Sequence, residues 1–295
     1  MALLEQKLAK PGFWMAVLLV LLVLGIQIAL SIPLAVANLV IEHGMHRAAP
    51  HLERQPILIG CINIVACGGA IALGLWLNRL GFRRAFPAWR ISAQQVFGVA
   101  VSLIGAAVLL SEADNAFRSV LPPPRFLIDR MKEMFLSEEN VVSRVWLLVI
   151  IAPITEELLF RGIILRGLLS RHLPATAVVV TAILFTVLHL NPWQFPSALS
   201  LGIVLGWFYV RSGSVAICIL GHAIYNSTVV VFPVLPWHIP GMTPPSDLTI
   251  VEFQPWWLDL VGLVVLVVGL WIFRRSTPPE PPVITECTGN ESSGF

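Results

Sequence analysis

The chain has 295 residues, of which 57% are hydrophobic and 12% charged, with a formal net charge of +2 and a mean hydropathy of +0.82. An ordinary soluble domain carries about 25% charged residues, so the composition excludes that class and implies an all-α, polytopic membrane protein embedded in a lipid bilayer. The small net charge, with Lys and Arg in ones and twos between apolar runs, excludes a nucleic-acid partner.

Apolar runs of the length that crosses a bilayer, about 17–25 residues, fall near 13–41, 57–77, 91–111, 143–167, 174–191, 195–211, 214–232 and 256–273, which predicts about eight transmembrane helices. The first run follows Lys7 and Lys10 and contains Ala35-Val36-Ala37. Its apolar stretch exceeds the roughly 7–15 residues of a signal peptide, so we read it as an uncleaved span kinked at Pro33. Cys61, Cys67 and Cys218 lie within spans and Cys287 in a polar tail, a distribution that offers neither a disulfide framework nor a C-x-x-C site. Neither Met1-Ala2 nor the position of Cys287 fits a lipidation motif.

With eight spans, Lys7, Lys10, Arg79, Arg83, Arg84, Arg90, Arg166, Arg171, Arg211, Arg274 and Arg275 all fall on one side. The bases on the other side are diluted by Glu42, Glu53, Glu112, Asp114, Asp129, Glu133, Glu138 and Glu139. The positive side is cytoplasmic by the charge rule, so both termini are expected there. The connection from Ser111 to Val142 contains Leu127, Ile128, Met131, Met134 and Phe135 at helical spacing with Arg130, Lys132 and Glu133 opposite. That pattern predicts an interfacial amphipathic helix, lying on the membrane or covering a site. Loop 233–255 is Pro-rich, and Trp237, Trp256 and Trp257 suit an aromatic belt at the membrane surface. Residues 276–295 have the composition of a disordered tail. The expected organisation is therefore 1–142 with three spans and the interfacial helix, 143–232 with four motif-bearing spans, 233–275 with the loop and last span, and then the tail.

Chemistry concentrates in Ile151 to Gly167, I-A-P-I-T-E-E-L-L-F-R-G-I-I-L-R-G, where adjacent carboxylates sit in an apolar helix. An ionised side chain at the centre of a spanning helix costs roughly 2.5–3.5 kcal/mol on insertion scales, so such residues mark a site by default. Glu157 and Arg161 stand four apart and can pair on one face. Glu156 lies about 100° around the helix and is left over, as expected of a general base.

Two further polar pairs follow: Phe185 with His189 at the end of the fifth run, before Asn191-Pro192, and His222 with Asn226 within the seventh. Either pair alone reads as a core histidine or a helix-bridging hydrogen bond. Three such constellations in three spans read instead as one converging site. If the helices are straight, His189 lies about 21 Å from the start of its own and His222 about 12 Å, so tilt or a buried start must bring them level.

The ordered motifs E-E-x-x-x-R at Glu156, Glu157 and Arg161, F-x-x-x-H at Phe185 and His189, and H-x-x-x-N at His222 and Asn226 resemble the CPBP family of type II CAAX prenyl endopeptidases and bacteriocin-processing, Abi-like or bacteriocin-immunity proteins. Leu188 to Pro192, the small-residue stretch Gly202 to Gly206 and the R-S-G-S before the last motif agree, so the resemblance covers roughly 146–232. It implies an intramembrane endopeptidase, in a bacterial cytoplasmic membrane, acting on a peptide or membrane-protein substrate. Glu156, helped by His189, would deprotonate water, while His222 and Asn226 would meet the oxyanion. Phe185 would pack at the site. Glu157 and Arg161 would form a structural ion pair, or Arg161 would hold a substrate carboxylate.

A divalent metal, zinc by ligand type, is the alternative, with Glu156, His189 and His222 as ligands. H-E-x-x-H is absent, and we expect a metal-free mechanism. The loop group His43, His46 and His51 is read as incidental. Two rival functions are a non-catalytic scaffold or immunity protein and a transporter. The transporter should show an internal repeat, and the two halves of the chain show none.

Overall fold

The computed structural model describes residues 12–45, 55–86, 91–136, 141–232, 235–243, 247 and 249–277. All regular structure in these residues is helical. The elements are α1 (Phe13–Met45), α2 (Pro56–Leu77), the short α3 (Phe82–Ala85), α4 (Ala93–Val120), α5 (Arg125–Leu136), a composite rod α6, α7 (Pro174–Leu188), α8 (Phe195–Ser212), α9 (Val215–Val231) and α10 (Trp256–Ser276). Rod α6 runs without a break through Val141–Val145, Trp146–Ile151, Ala152–Glu157, Leu158–Leu165 and Arg166–Leu169. Each of the eight apolar runs coincides with a helix, and the chain is a polytopic helical membrane protein. Within α1, α2, α4 and α10, apolar helix of 29, 22, 28 and 21 residues is long enough to cross a membrane, whereas α7 and α9 are shorter apolar helices.

Local sequence sets the helix ends. Ser92 accepts from the Gln95 N–H while Gln95 accepts from the Ser92 N–H, a reciprocal cap that starts α4. Ser214 caps α9 through the Ile217 N–H at 3.3 Å. Pro174 opens α7 at a position where its missing N–H costs nothing. Gly213, at φ 63°, closes α8 in the left-handed conformation that glycine adopts freely.

Helix α4 runs nine residues beyond the apolar stretch expected to end at 111, to Val120. The loop before α10 supplies partners for Glu112 and Asn115 at its polar end. Glu112 Oε2 accepts from the Gln254 N–H at 2.9 Å, and the Asn115 amide donates to Gly241 O at 2.7 Å. Helix α5 forms where amphipathic spacing predicted it. Trp237, Trp256 and Trp257 are exposed, as an aromatic belt requires. His43 is exposed and its Nδ1–H donates to Leu39 O at 2.9 Å, while His46, His51 and the tail beyond 277 lie outside the described residues.

Two buried clusters fill the bundle. One joins Leu19 and Val23 of α1 and Ala66 and Ala70 of α2 to Leu159 through Leu165 of α6 and Phe185 of α7. The other joins Val99 and Leu103 of α4 to Leu201 and Leu205 of α8, Cys218 of α9 and Phe273 of α10. Helices α4 and α10 touch so closely that a Cβ on Gly98, Gly105 or Gly269 would strike the opposite backbone. Small residues serve helix association in lipid in this way, where no hydrophobic driving force separates helix from solvent.

Candidate active site

Rod α6 departs from α geometry twice, in π turns at Trp146–Ile151 and Leu158–Leu165 on either side of the Glu156-Glu157 pair. Such turns are frequent at functional sites. The first has a visible cause. The Ala152 N–H donates to Leu147 O, five residues back, so the next carbonyl, Leu148 O, faces Pro153, which has no N–H to offer. Asn226 of α9 supplies the missing donor, its side-chain amide meeting Leu148 O at 2.8 Å. Thus the asparagine expected to meet an oxyanion has one amide hydrogen committed to the rod and one remaining.

Around the second π turn, Glu157 and Arg161 are both fully buried and bonded at 2.9 Å, the pairing their spacing predicted. The same oxygen, Glu157 Oε1, accepts from His222 Nδ1–H at 2.8 Å. A carboxylate oxygen can only accept, so Nδ1 carries the proton and Nε2 is the ring position left for chemistry. Arg161 extends further and donates from Nη2 to Gly202 O at 3.1 Å. Gly202 also lets α8 close on α7, because a Cβ there would lie 2.9 Å from the Ala182 Cβ and 3.0 Å from its Cα.

Phe185 is the hub of the cluster and is 1% exposed. Its ring meets His189 at 4.8 Å, His222 at 5.7 Å and Phe160 at 5.2 Å between centroids, and the Arg161 guanidinium lies 5.1 Å from its centre. The two histidines are therefore brought to one ring despite their unequal distances along α7 and α9, so these helices start at different heights or tilt relative to one another. His189 follows the last turn of α7, and its Nδ1–H donates to Phe185 O at 2.9 Å, which again leaves Nε2. The chain then reverses through Leu190, whose φ of 47° is unusual for a branched residue and marks a backbone held by its surroundings. The Asn191 side chain accepts from the Trp193 N–H at 3.1 Å, and the Trp193 indole donates to Leu121 O at 2.8 Å.

Glu156 stands on the other side of the rod. It is half-buried, its Oε2 is shielded from solvent, and that oxygen has no hydrogen-bond partner among the described residues. No hydrogen bond links Glu156 directly to His189 or His222, so any joint action on a substrate would run through a water or the substrate itself. Beside it, buried Asn63 of α2 donates to Thr155 Oγ1 at 3.1 Å. Asn63 also accepts from the Cys67 thiol at 3.3 Å and the Gln27 amide at 3.4 Å. Sequence reasoning missed this residue, although a signal existed: Asn63 is the sole amide in the 22-residue helix α2.

The histidines suit a metal in one respect, since each ties Nδ1–H to an oxygen and leaves Nε2, as metal-bound imidazoles do. Among the described residues, however, no three His, Cys, Asp or Glu side chains stand together closely enough to hold a metal ion. The set Glu156, His189 and His222 is not a ready-made three-ligand centre in this arrangement.

Neither the curated proteins nor the solved structures yield a match. All seven motif side chains lie within 138–228, and across those residues the family model described as type II CAAX prenyl endopeptidase Rce1-like matches the chain, which bears out the resemblance carried by its three motifs.

Proposed function

We propose that this chain is an intramembrane endopeptidase, hydrolysing peptide bonds of membrane-associated substrates, prenylated C-terminal peptides or leader peptides among them, with Glu156 as general base. One observation carries the reading. Among the described residues the half-buried Glu156 carboxylate makes no hydrogen bond or ion pair, whereas Glu157, which also keeps its Oε2 free, is fully buried and commits Oε1 to both Arg161 and His222. A base that removes a proton from water needs an uncommitted lone pair that a water can reach, and Glu156 is the carboxylate that offers one. The match to an endopeptidase family supports the same reading.

The steps balance without further reagents. Glu156 takes a proton from water, whose oxygen attacks the peptide carbonyl, and the Nε2 of His189 accepts the water's other hydrogen as a hydrogen bond. The oxyanion is met by the remaining Asn226 N–H and by the Nε2–H of His222, which enters the cycle carrying a solvent-derived proton there, keeps it throughout, and has Glu157 as its counter-charge. Collapse of the tetrahedral intermediate expels the amine, which receives the proton held by Glu156. Arg161 holds Glu157 in place and stays out of the reaction.

Metal dependence is tested by stripping purified protein with a strong chelator. Cleavage should persist and zinc should not raise it, whereas activity lost with the metal and restored by zinc would replace this mechanism with a zinc-held water. We further propose that the protein sits in a bacterial cytoplasmic membrane with both termini inside. Reporters fused at either terminus or in the 79–90 loop should all report cytoplasm, and an external C-terminus would overturn that orientation.

A further inference from the structure

We propose that Asn63 is a positioning residue for Glu156, acting through Thr155, an inference that rests on the endopeptidase reading above. Asn63 belongs to α2, outside the matched segment, and is 7% exposed. It stands at the centre of a buried polar chain. Cys67 and Gln27 donate to its Oδ1, and its own amide donates to Thr155 Oγ1 at 3.1 Å. The Thr155 hydroxyl in turn donates to Ile151 O at 2.8 Å, one turn back along the rod.

The position of this link gives it more than a packing role. Between Trp146 and Glu157 the rod is least held by its own backbone, because a π turn and Pro153 together deprive Leu148 O of a helical donor. Two side-chain amides secure the rod there, Asn226 from α9 on Leu148 O and Asn63 from α2 on Thr155. Glu156 is the next residue, and its buried Oε2 has no hydrogen bond to aim it. Its orientation is therefore inherited from the turn that Thr155 anchors. A general base misplaced by about 1 Å can lose a hundredfold in rate while the fold survives.

The test compares Thr155→Val, which removes only the hydroxyl, with Thr155→Ser, which keeps it, and adds Asn63→Leu and the double variant Asn63→Leu/Thr155→Val. Turnover, KM and thermal midpoint are measured on purified protein in detergent with a membrane-peptide substrate. Assayed well below every midpoint, Thr155→Val and Asn63→Leu should each lower kcat about tenfold or more at unchanged KM, with the midpoint a few degrees lower because a buried donor loses its partner, Thr155→Ser should stay within about twofold of the parent, and the double variant should lose no more activity than either single one. Full turnover in Thr155→Val, losses that multiply in the double variant, or lost turnover that only tracks the unfolded fraction would overturn the proposal. If Asn63→Leu fails to fold, the Val and Ser variants of Thr155 decide the question. Glu156→Gln assayed alongside separates the two levels: inactive Glu156→Gln beside fully active Thr155→Val overturns the positioning alone, and active Glu156→Gln overturns the general base and the positioning together.

Discussion

Glu156→Gln is expected to lower peptide-bond cleavage by about 10²–10⁴-fold, the span typical of a general base, with KM and thermal midpoint near those of the parent. Gln has almost the same shape and cannot accept the proton of an attacking water. The carboxylate it replaces makes no hydrogen bond through its buried oxygen, so no structural partner is stranded by the change. Replacing a half-buried, unpaired acid by a neutral amide relieves part of its desolvation and can even raise the midpoint. Turnover of purified parent and variant in detergent, beside their thermal unfolding, checks both halves. A variant that keeps more than a small fraction of activity removes Glu156 from the reaction.

Arg161→Ala has the opposite signature, with folded protein lost along with activity. Arg161 is fully buried, bonded to Glu157 and to Gly202 O, and packed against the Phe185 ring. Its removal leaves the Glu157 carboxylate uncompensated in the interior, a change that costs about 3–5 kcal/mol for a buried pair, and opens a cavity beside Phe185. Glu157→Ala should destabilise similarly and also release His222 from the hydrogen bond that orients it. A fall of several degrees in thermal midpoint and reduced recovery from the membrane are expected for both variants. Parent-like stability in both would show that the ion pair is not what holds α6, α8 and α9 together.

The contrast between neighbouring carboxylates was legible in the sequence, because the i,i+4 relation of Glu157 to Arg161 is a property of any helix and leaves Glu156 over. The eight helices were legible for the same kind of reason: apolar length and Gly, Pro or Ser at the ends act locally. Partners supplied by other helices were not. Nothing in H-x-x-x-N says that His222 will share an oxygen with Arg161, or that Asn226 will spend an amide hydrogen on Leu148 O. Both follow from how α9 packs on α6. The π turns were equally hidden, since residue pattern does not distinguish an i+5 from an i+4 ladder, and only Pro153 hints at a gap. The polar end of α4 looks like loop in the sequence because Glu112 and Asn115 break the apolar run, and their partners Gln254 and Gly241 lie more than a hundred residues further on.

Cleavage of a prenylated peptide by the purified full chain, reconstituted in lipid and supplied with heavy-oxygen water, follows the attacking oxygen itself. Hydrolysis must leave one heavy oxygen in the new C-terminal carboxylate, since the atom that attacks the carbonyl comes from water. The parent protein should yield a fragment with that label in the presence of chelator, and Glu156→Gln should yield none. An unlabelled fragment, or a labelled one formed equally by Glu156→Gln, would contradict hydrolysis with Glu156 as general base.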